Sequence, residues 1–154
     1  MNSNSENTRV GKAFQELVWK SITEYFGSPF ELEVALPIGT PSKLHRFDCV
    51  SEDKRIVVEC KCYTWTDTGN VPSAKMRGLN EAVFYMSYLP DDITKILCMK
   101  KAIHAKKLET LAEYYCRTYG HLLSGVKIFE VDNFGKIRAI MPWLISDPNL
   151  YRTF

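Results

Sequence analysis

Residues able to do chemistry gather in one short stretch, Arg55-Ile56-Val57-Val58-Glu59-Cys60-Lys61-Cys62. Its β-branched run reads as a strand, and side chains alternate faces along a strand. Val57, Glu59 and Lys61 then point one way, and Ile56, Val58, Cys60 and Cys62 the other. An acid and a base on an otherwise buried strand are costly to desolvate unless they pair or bind a cation. The preceding stretch alternates Leu44, Arg46, Asp48 and Val50 against His45, Phe47 and Cys49, so it offers Asp48 to the same neighbourhood. Two carboxylates and a lysine on one sheet surface suit phosphodiester hydrolysis. Magnesium needs few protein carboxylates because it keeps waters and takes phosphate oxygens. It polarises the phosphoryl group and lowers the pKa of a water, while the lysine offsets charge building on phosphorus. Glu52-Asp53-Lys54 also matches acid-x-Lys but lies in a polar turn, so context and not the triplet discriminates.

The elements that must position these residues follow from periodicity and breakers. Val10, Phe14, Leu17, Val18, Ile22 and Tyr25 recur at helical spacing, and Gly27-Ser28-Pro29 ends that helix. Strands are expected over 30–36, 44–50 and 55–62, the last two forming a hairpin across residues 51–54. After a polar loop, Ser73 is expected to cap a helix carrying Met76, Leu79, Val83 and Met86 that stops before Pro90. A strand over 93–99 follows, then a helix marked by Leu108, Leu111, Ala112, Tyr115 and Tyr119 and ending at Gly120. A second hairpin spans 126–131 and 136–141, and the tail from Pro142, with Trp143, Leu144 and Ile145, is expected to pack on the domain. Residues 1–9 read as a flexible N-terminal segment and 10–154 as one α/β domain.

In that order the chain resembles the PD-(D/E)XK nuclease superfamily. The resembling residues are Phe47-Asp48, then Glu59-Cys60-Lys61, and the helix with Gly11-Lys12-Ala13-Phe14-Gln15-Glu16 ahead of them. The resemblance implies a restriction endonuclease-like αβββαβ core, a mixed central sheet flanked by helices, with a C-terminal helix and hairpin added. It implies that Asp48 and Glu59, with the backbone carbonyl of Cys60, ligate magnesium, for which manganese can substitute, and that Lys61 is the catalytic lysine. The helix slot often filled by Glu holds Gln15, followed by Glu16. At about 100° per residue Gln15 sits at the rim of the apolar stripe, able to orient a water, whereas Glu16 points to the polar face with Lys12 and Lys20.

Contacts with nucleic acid are expected from Lys75, in the first turn of its helix, and from a run of Lys95, Lys100, Lys101, Lys106 and Lys107 with His104, free of acids. Trp65, Thr66, Thr68 and Asn70 lead from the reactive strand toward Lys75. The expected activity is a metal-dependent nuclease acting on DNA, with RNA also open, in a restriction, repair, junction-resolving or homing role. A chain of this size would need a homodimer to cut both strands of a specific site. The alternative is a noncatalytic nucleic-acid-binding or scaffolding module on the same fold, which Gln15 favours.

Composition bounds the rest. The chain has 154 residues, 45% hydrophobic and 25% charged, which suits one folded domain and argues against disorder. A net charge of +2 names no partner. No apolar run approaches the roughly 18 residues of a membrane helix, and no export signal opens the chain, so the cytoplasm is the expected compartment. Five cysteines then read as thiols; Cys49, Cys60 and Cys62 near His45 would make a zinc site only without the usual C-x-x-C turn.

Overall fold

The computed structural model describes residues 3–141. Helix α1 (Asn4–Phe26) is followed by strands β1 (Phe30–Ile38), β2 (Lys43–Ser51) and β3 (Ile56–Lys61), helix α2 (Ser73–Ser87), strand β4 (Thr94–Lys100), helix α3 (Leu111–Tyr119) and strands β5 (Lys127–Val131) and β6 (Ile137–Ile140). The six strands form one mixed sheet in sequence order. β3, β4 and β5 are parallel neighbours, while β1–β2, β2–β3 and β5–β6 pair antiparallel.

Each parallel step needs a crossover, and crossovers of one hand that advance in one direction lie on one face. Accordingly α2 and α3 cover the same side. Met76, Leu79, Val83 and Met86 of α2 and Leu111, Ala112 and Tyr115 of α3 bury Phe47, Val50, Val57, Leu97, Met99 and Ile128. Phe14, Val18 and Ile22 of α1 cover the opposite side, against Cys49, Val58, Ile96, Cys98, Phe129 and Val131. The protein is therefore an α/β domain, a mixed sheet flanked by helices. No described helix is long and apolar enough to cross a membrane.

Four local expectations are corrected. Helix α1 begins at Asn4, within the segment expected to be a flexible lead, because the Ser3 hydroxyl accepts the Glu6 N–H at 3.2 Å and starts the helix before its apolar stripe. Ser73 is the first helical residue of α2 and not its cap; Pro72 holds the cap position and makes no side-chain bond there. Leu108 lies outside α3, since Thr110 and Glu113 form a reciprocal capping box that fixes the helix start at Leu111. Gly120 keeps right-handed backbone angles, so the chain runs on through a short 3-10 turn to Leu122 before entering β5. The expected packing of Trp143, Leu144 and Ile145 falls outside the described residues.

One charged network locks the far edge of the sheet. Arg138 of β6 donates through Nε (3.0 Å) and a terminal nitrogen (2.8 Å) to one oxygen of Glu130, and through its other terminal nitrogen to Glu113 at 2.9 Å. Glu113 is also half of the α3 capping box, so one guanidinium joins β5, β6 and α3. The Glu130 side chain is only 1% exposed, and its second oxygen has no partner among the described residues. Arg138→Met should therefore lower the unfolding free energy on the order of 3 kcal/mol by stranding a buried charge. Arg117→Ala, which breaks the more exposed pair with Glu109, should cost under about 1 kcal/mol. Urea denaturation of both variants checks the contrast; equal losses would mean that Glu130 is not held by Arg138.

Candidate active site

The hairpin of β2 and β3 starts as ordinary sheet and then opens. Its registered pairs are Cys49↔Val58 and Val50↔Val57, with Asp48 and Glu59 falling at the next opposed positions. There the carboxylates take over the backbone's hydrogen bonds. The Cys60 N–H donates to Asp48 Oδ2 at 2.7 Å, and the Asp48 N–H donates to Glu59 Oε2 at 3.3 Å. Buried N–H groups must find acceptors; here two acidic side chains supply them, and the two carboxylates are tied to each other's strands.

This exchange alters the face assignment of β2. Phe47 packs in the same cluster as Val50 and Val57, while Cys49 packs against α1. Strict alternation would put Phe47 and Cys49 together, so the phase breaks at Asp48. On β3 the alternation holds, with Val57 toward α2 and α3, and Val58, Cys60 and Cys62 toward α1.

Helix α1 braces the opening. Gln15 is half-buried and its amide donates to the Asp48 carbonyl at 3.3 Å, whereas Glu16 is exposed. The helix thus reaches the site through Gln15, as the helical spacing predicts, but the contact is with backbone. Opposite Asp48 on β1, Glu33 has φ of 54° and drops out of the β1–β2 register, which runs Leu32↔Cys49 and then Val34↔Phe47. A non-glycine residue in that conformation inside a strand re-aims its side chain. Nothing in the sequence pattern singled Glu33 out. His45 stacks on Tyr85 of α2, with ring centroids 4.2 Å apart, beside Phe47.

The electrostatics follow from burial of like charges. Glu59 is pushed up to about 7, first by burial and then by the Asp48 charge, with Lys61 and the Asp48 N–H pulling the other way. Asp48 is also raised, chiefly by burial; the Cys60 N–H, Lys61 and His45 oppose this and Glu33 adds to it. Lys61 thus acts on both carboxylates, yet forms no ion pair within 4.0 Å among the described residues. Each carboxylate spends one oxygen on a backbone N–H, and neither Asp48 Oδ1 nor Glu59 Oε1 has a hydrogen-bond partner among the described residues. A half-buried carboxylate pair with two unbonded oxygens, and no cation tight against it, could hold a hard divalent ion that completes its shell with other oxygens. No group of three or more His, Cys, Asp or Glu is placed to hold a metal among the described residues. Cys49, Cys60 and Cys98 are packed against α1, where the hydrogen bond with the Cys49 thiol and then burial push the Cys60 thiol well up, a setting that disfavours the thiolate zinc requires.

The expected nucleic-acid contacts divide. Lys100, Lys101, Lys106 and Lys107 remain at least partly exposed, and Lys100 lies near enough to Cys62 to counter the rise that burial imposes on its thiol. Lys95 is a correction: it is buried and its ammonium donates to the Leu89 carbonyl at 3.0 Å. His104 is another, being a buried joint between loops. Lys75 sits 5.0 Å over the Tyr63 ring, and Tyr63 in turn fills the space beside Gly78, where an added Cβ would fall 2.6 Å from its hydroxyl. Trp65 is an anchor, donating to the Ala102 carbonyl at 2.9 Å. A separate apolar cavity of about 560 Å³, lined in part by Tyr25, Phe26, Leu123, Phe129 and Met141, shares no residue with this site.

Because both carboxylates bind their protons more tightly folded than unfolded, ionising them costs stability. For Glu59 the loss accrues as pH rises from about 4.5 to about 7. Glu59→Gln should therefore gain on the wild type in melting temperature across that interval and hold the gain above it. Calorimetric melts of both proteins over the interval test this; a difference that is flat in pH, or that shrinks as pH rises, would contradict the raised Glu59 carboxyl.

Compared with models of protein families, with curated proteins and with solved structures, the chain finds no match in any of the three.

Proposed function

We propose that the protein is a divalent-cation-dependent nuclease that hydrolyses phosphodiester bonds in DNA. The observation that carries this reading is the opened ladder, in which Asp48 and Glu59 share a half-buried site and each keeps an oxygen without a partner among the described residues. The αβββαβ order and the placement of α1 and α2 on opposite faces of the sheet support a restriction endonuclease-like core, in line with the resemblance to PD-(D/E)XK nucleases.

On this reading Asp48, Glu59 and the Cys60 carbonyl hold magnesium, or manganese in its place. The ion, when bound, supplies Lewis acidity toward the phosphoryl oxygens and eases deprotonation of the attacking water. Binding it would also offset the Asp48 charge that, after burial, raises Glu59, so the site gains most from a cation when the pair is ionised. Lys61, with no carboxylate clamped on it, is available to the scissile phosphate, where its charge offsets the negative charge that builds as water oxygen bonds to phosphorus and one P–O ester bond breaks. The released alkoxide takes a proton from solvent. Gln15 holds the Asp48 carbonyl, which fixes the strand and leaves the pair without a third carboxylate from α1.

Labelled duplex, single-stranded and branched DNA, with an RNA control, should be cut in magnesium or manganese and left intact in chelator. Lys61→Ala should lower the rate by about a hundredfold or more. Equal cutting by both proteins would overturn the assignment. Salt-sensitive binding without cutting, in either metal, would favour the alternative, a nucleic-acid-binding module.

A further inference from the structure

We propose that residues 101–110 form a DNA-contacting loop whose exposed Leu108, just after the turn at 105–107, enters between base pairs of duplex DNA while Lys106 and Lys107 hold the flanking phosphates. The inference rests on the nucleic-acid reading above and names the loop that would distort the substrate. Leu108 is 78% exposed, Ile103 is 54% exposed, and no acidic residue occurs from position 93 to 108. Exposed aliphatic side chains in a segment that also carries exposed lysines match the wedge-and-clamp chemistry of proteins that unstack a base step.

The loop is built and not merely exposed. Ile103 and Thr110 form an antiparallel bridge across its base, and the His104 N–H donates to the Glu109 carbonyl at 2.8 Å. The buried His104 ring accepts the N–H groups of Lys106 and Lys107 at its Nδ1, both at 3.1 Å, which leaves Nε2 as the donor to the Gly69 carbonyl at 2.8 Å. Gly69 has φ of 79°, and a Cβ there would fall 3.2 Å from the His104 ring, so the latch needs glycine. Trp65 pins Ala102 on the other side. One imidazole therefore fixes both lysine amides and joins the loop to the segment that leaves β3.

Within this frame Leu108 itself has φ of 58°, with its N–H on the His104 carbonyl at 3.1 Å. A leucine is poorly suited to left-handed backbone, where asparagine or glycine is at ease. A strained, exposed leucine held by a latched loop is better explained by contact than by folding. The loop also leaves the sheet at the right end. Met99 of β4 is in register with Lys61 of β3, so residues 101–110 follow directly where the carboxylate-bearing strand ends. Glu109, the next acid along the chain, is neutralised by Arg117 at 2.8 Å. A membrane surface would also take lysines around an aliphatic tip, but proximity to the carboxylate end of the sheet favours DNA.

The test is binding in chelator, so that no cutting is needed, to a set of short duplexes carrying 2-aminopurine at successive positions. Wild type should raise the fluorescence of the unstacked base. Leu108→Asn, which suits left-handed backbone and so preserves the loop, should abolish the rise and weaken binding about tenfold. Leu108→Met should behave as wild type, and Lys106→Ala or Lys107→Ala should each reduce the salt slope by about 1 while keeping the rise. No rise at saturating wild type across the set, or a rise that survives Leu108→Asn, would overturn the proposal. So would Leu108-dependent binding to phosphatidylserine–phosphatidylcholine vesicles with DNA binding unaffected. A Leu108-dependent rise in a protein that fails the cleavage assay would keep the loop and remove the nuclease.

Discussion

The replacement of backbone carbonyls by carboxylates between β2 and β3 is the constraint around which the rest of the molecule is arranged. Two strands that pair at Cys49↔Val58 and Val50↔Val57 would ordinarily continue zipping. They part at Asp48 and Glu59, yet the Asp48 and Cys60 N–H groups are still satisfied, through side chains. The cost is two half-buried carboxylates drawn together: burial comes first in the upward displacement of both groups, and the Asp48 charge adds to it for Glu59. Such an arrangement is unfavourable for stability and persists only where the surrounding structure imposes it.

That imposition has identifiable sources. Helix α1 caps one face through Phe14, Val18 and Ile22 and brings Gln15 onto the Asp48 carbonyl at the point of rupture. Trp19, one turn on, donates to the Phe30 carbonyl at 2.7 Å and ties the same helix to β1. On the other face α2 supplies Tyr85 against His45 and Gly78 against Tyr63, which ties the helix to β2 and to the segment that follows β3. At the far edge, Arg138 joins β5, β6 and α3 without touching the site. Stability concentrated there and in the two apolar layers can carry a strained hairpin elsewhere.

Much of this was legible in the residues. The apolar spacing of α1, the breakers at Gly27 and Pro90 and the β-branched runs were enough to place the elements in order, because each buries a face with its own period. Strand alternation also brought Asp48 toward Glu59 and Lys61, though it had Phe47 on the wrong side. Alternation assumes an unbroken ladder, and a ladder broken by side-chain acceptors cannot be seen in composition. Glu33 escaped for a related reason, since a left-handed glutamate inside a strand has no sequence marker. Leu108 was drawn into α3 by its spacing, although Thr110-x-x-Glu113 is a capping signature that could have set the boundary. Lys95 and His104 looked like surface charge in a basic run; only the tertiary fold, which buries the first against Leu89 and the second between two loops, separates them from the exposed lysines. The segment from Asn4 to Arg9 lacked apolar residues but not a cap, and Ser3 was sufficient to begin the helix.

The proposed divalent-cation site joins Asp48 and Glu59. Anomalous diffraction from crystals of the full chain grown with manganese, collected with and without Glu59→Gln, tests it most directly. A manganese peak is expected in the wild type within coordination distance of both carboxylates, with its loss in the variant. Manganese bound only elsewhere, or a wild-type site left empty at saturating manganese, would contradict it.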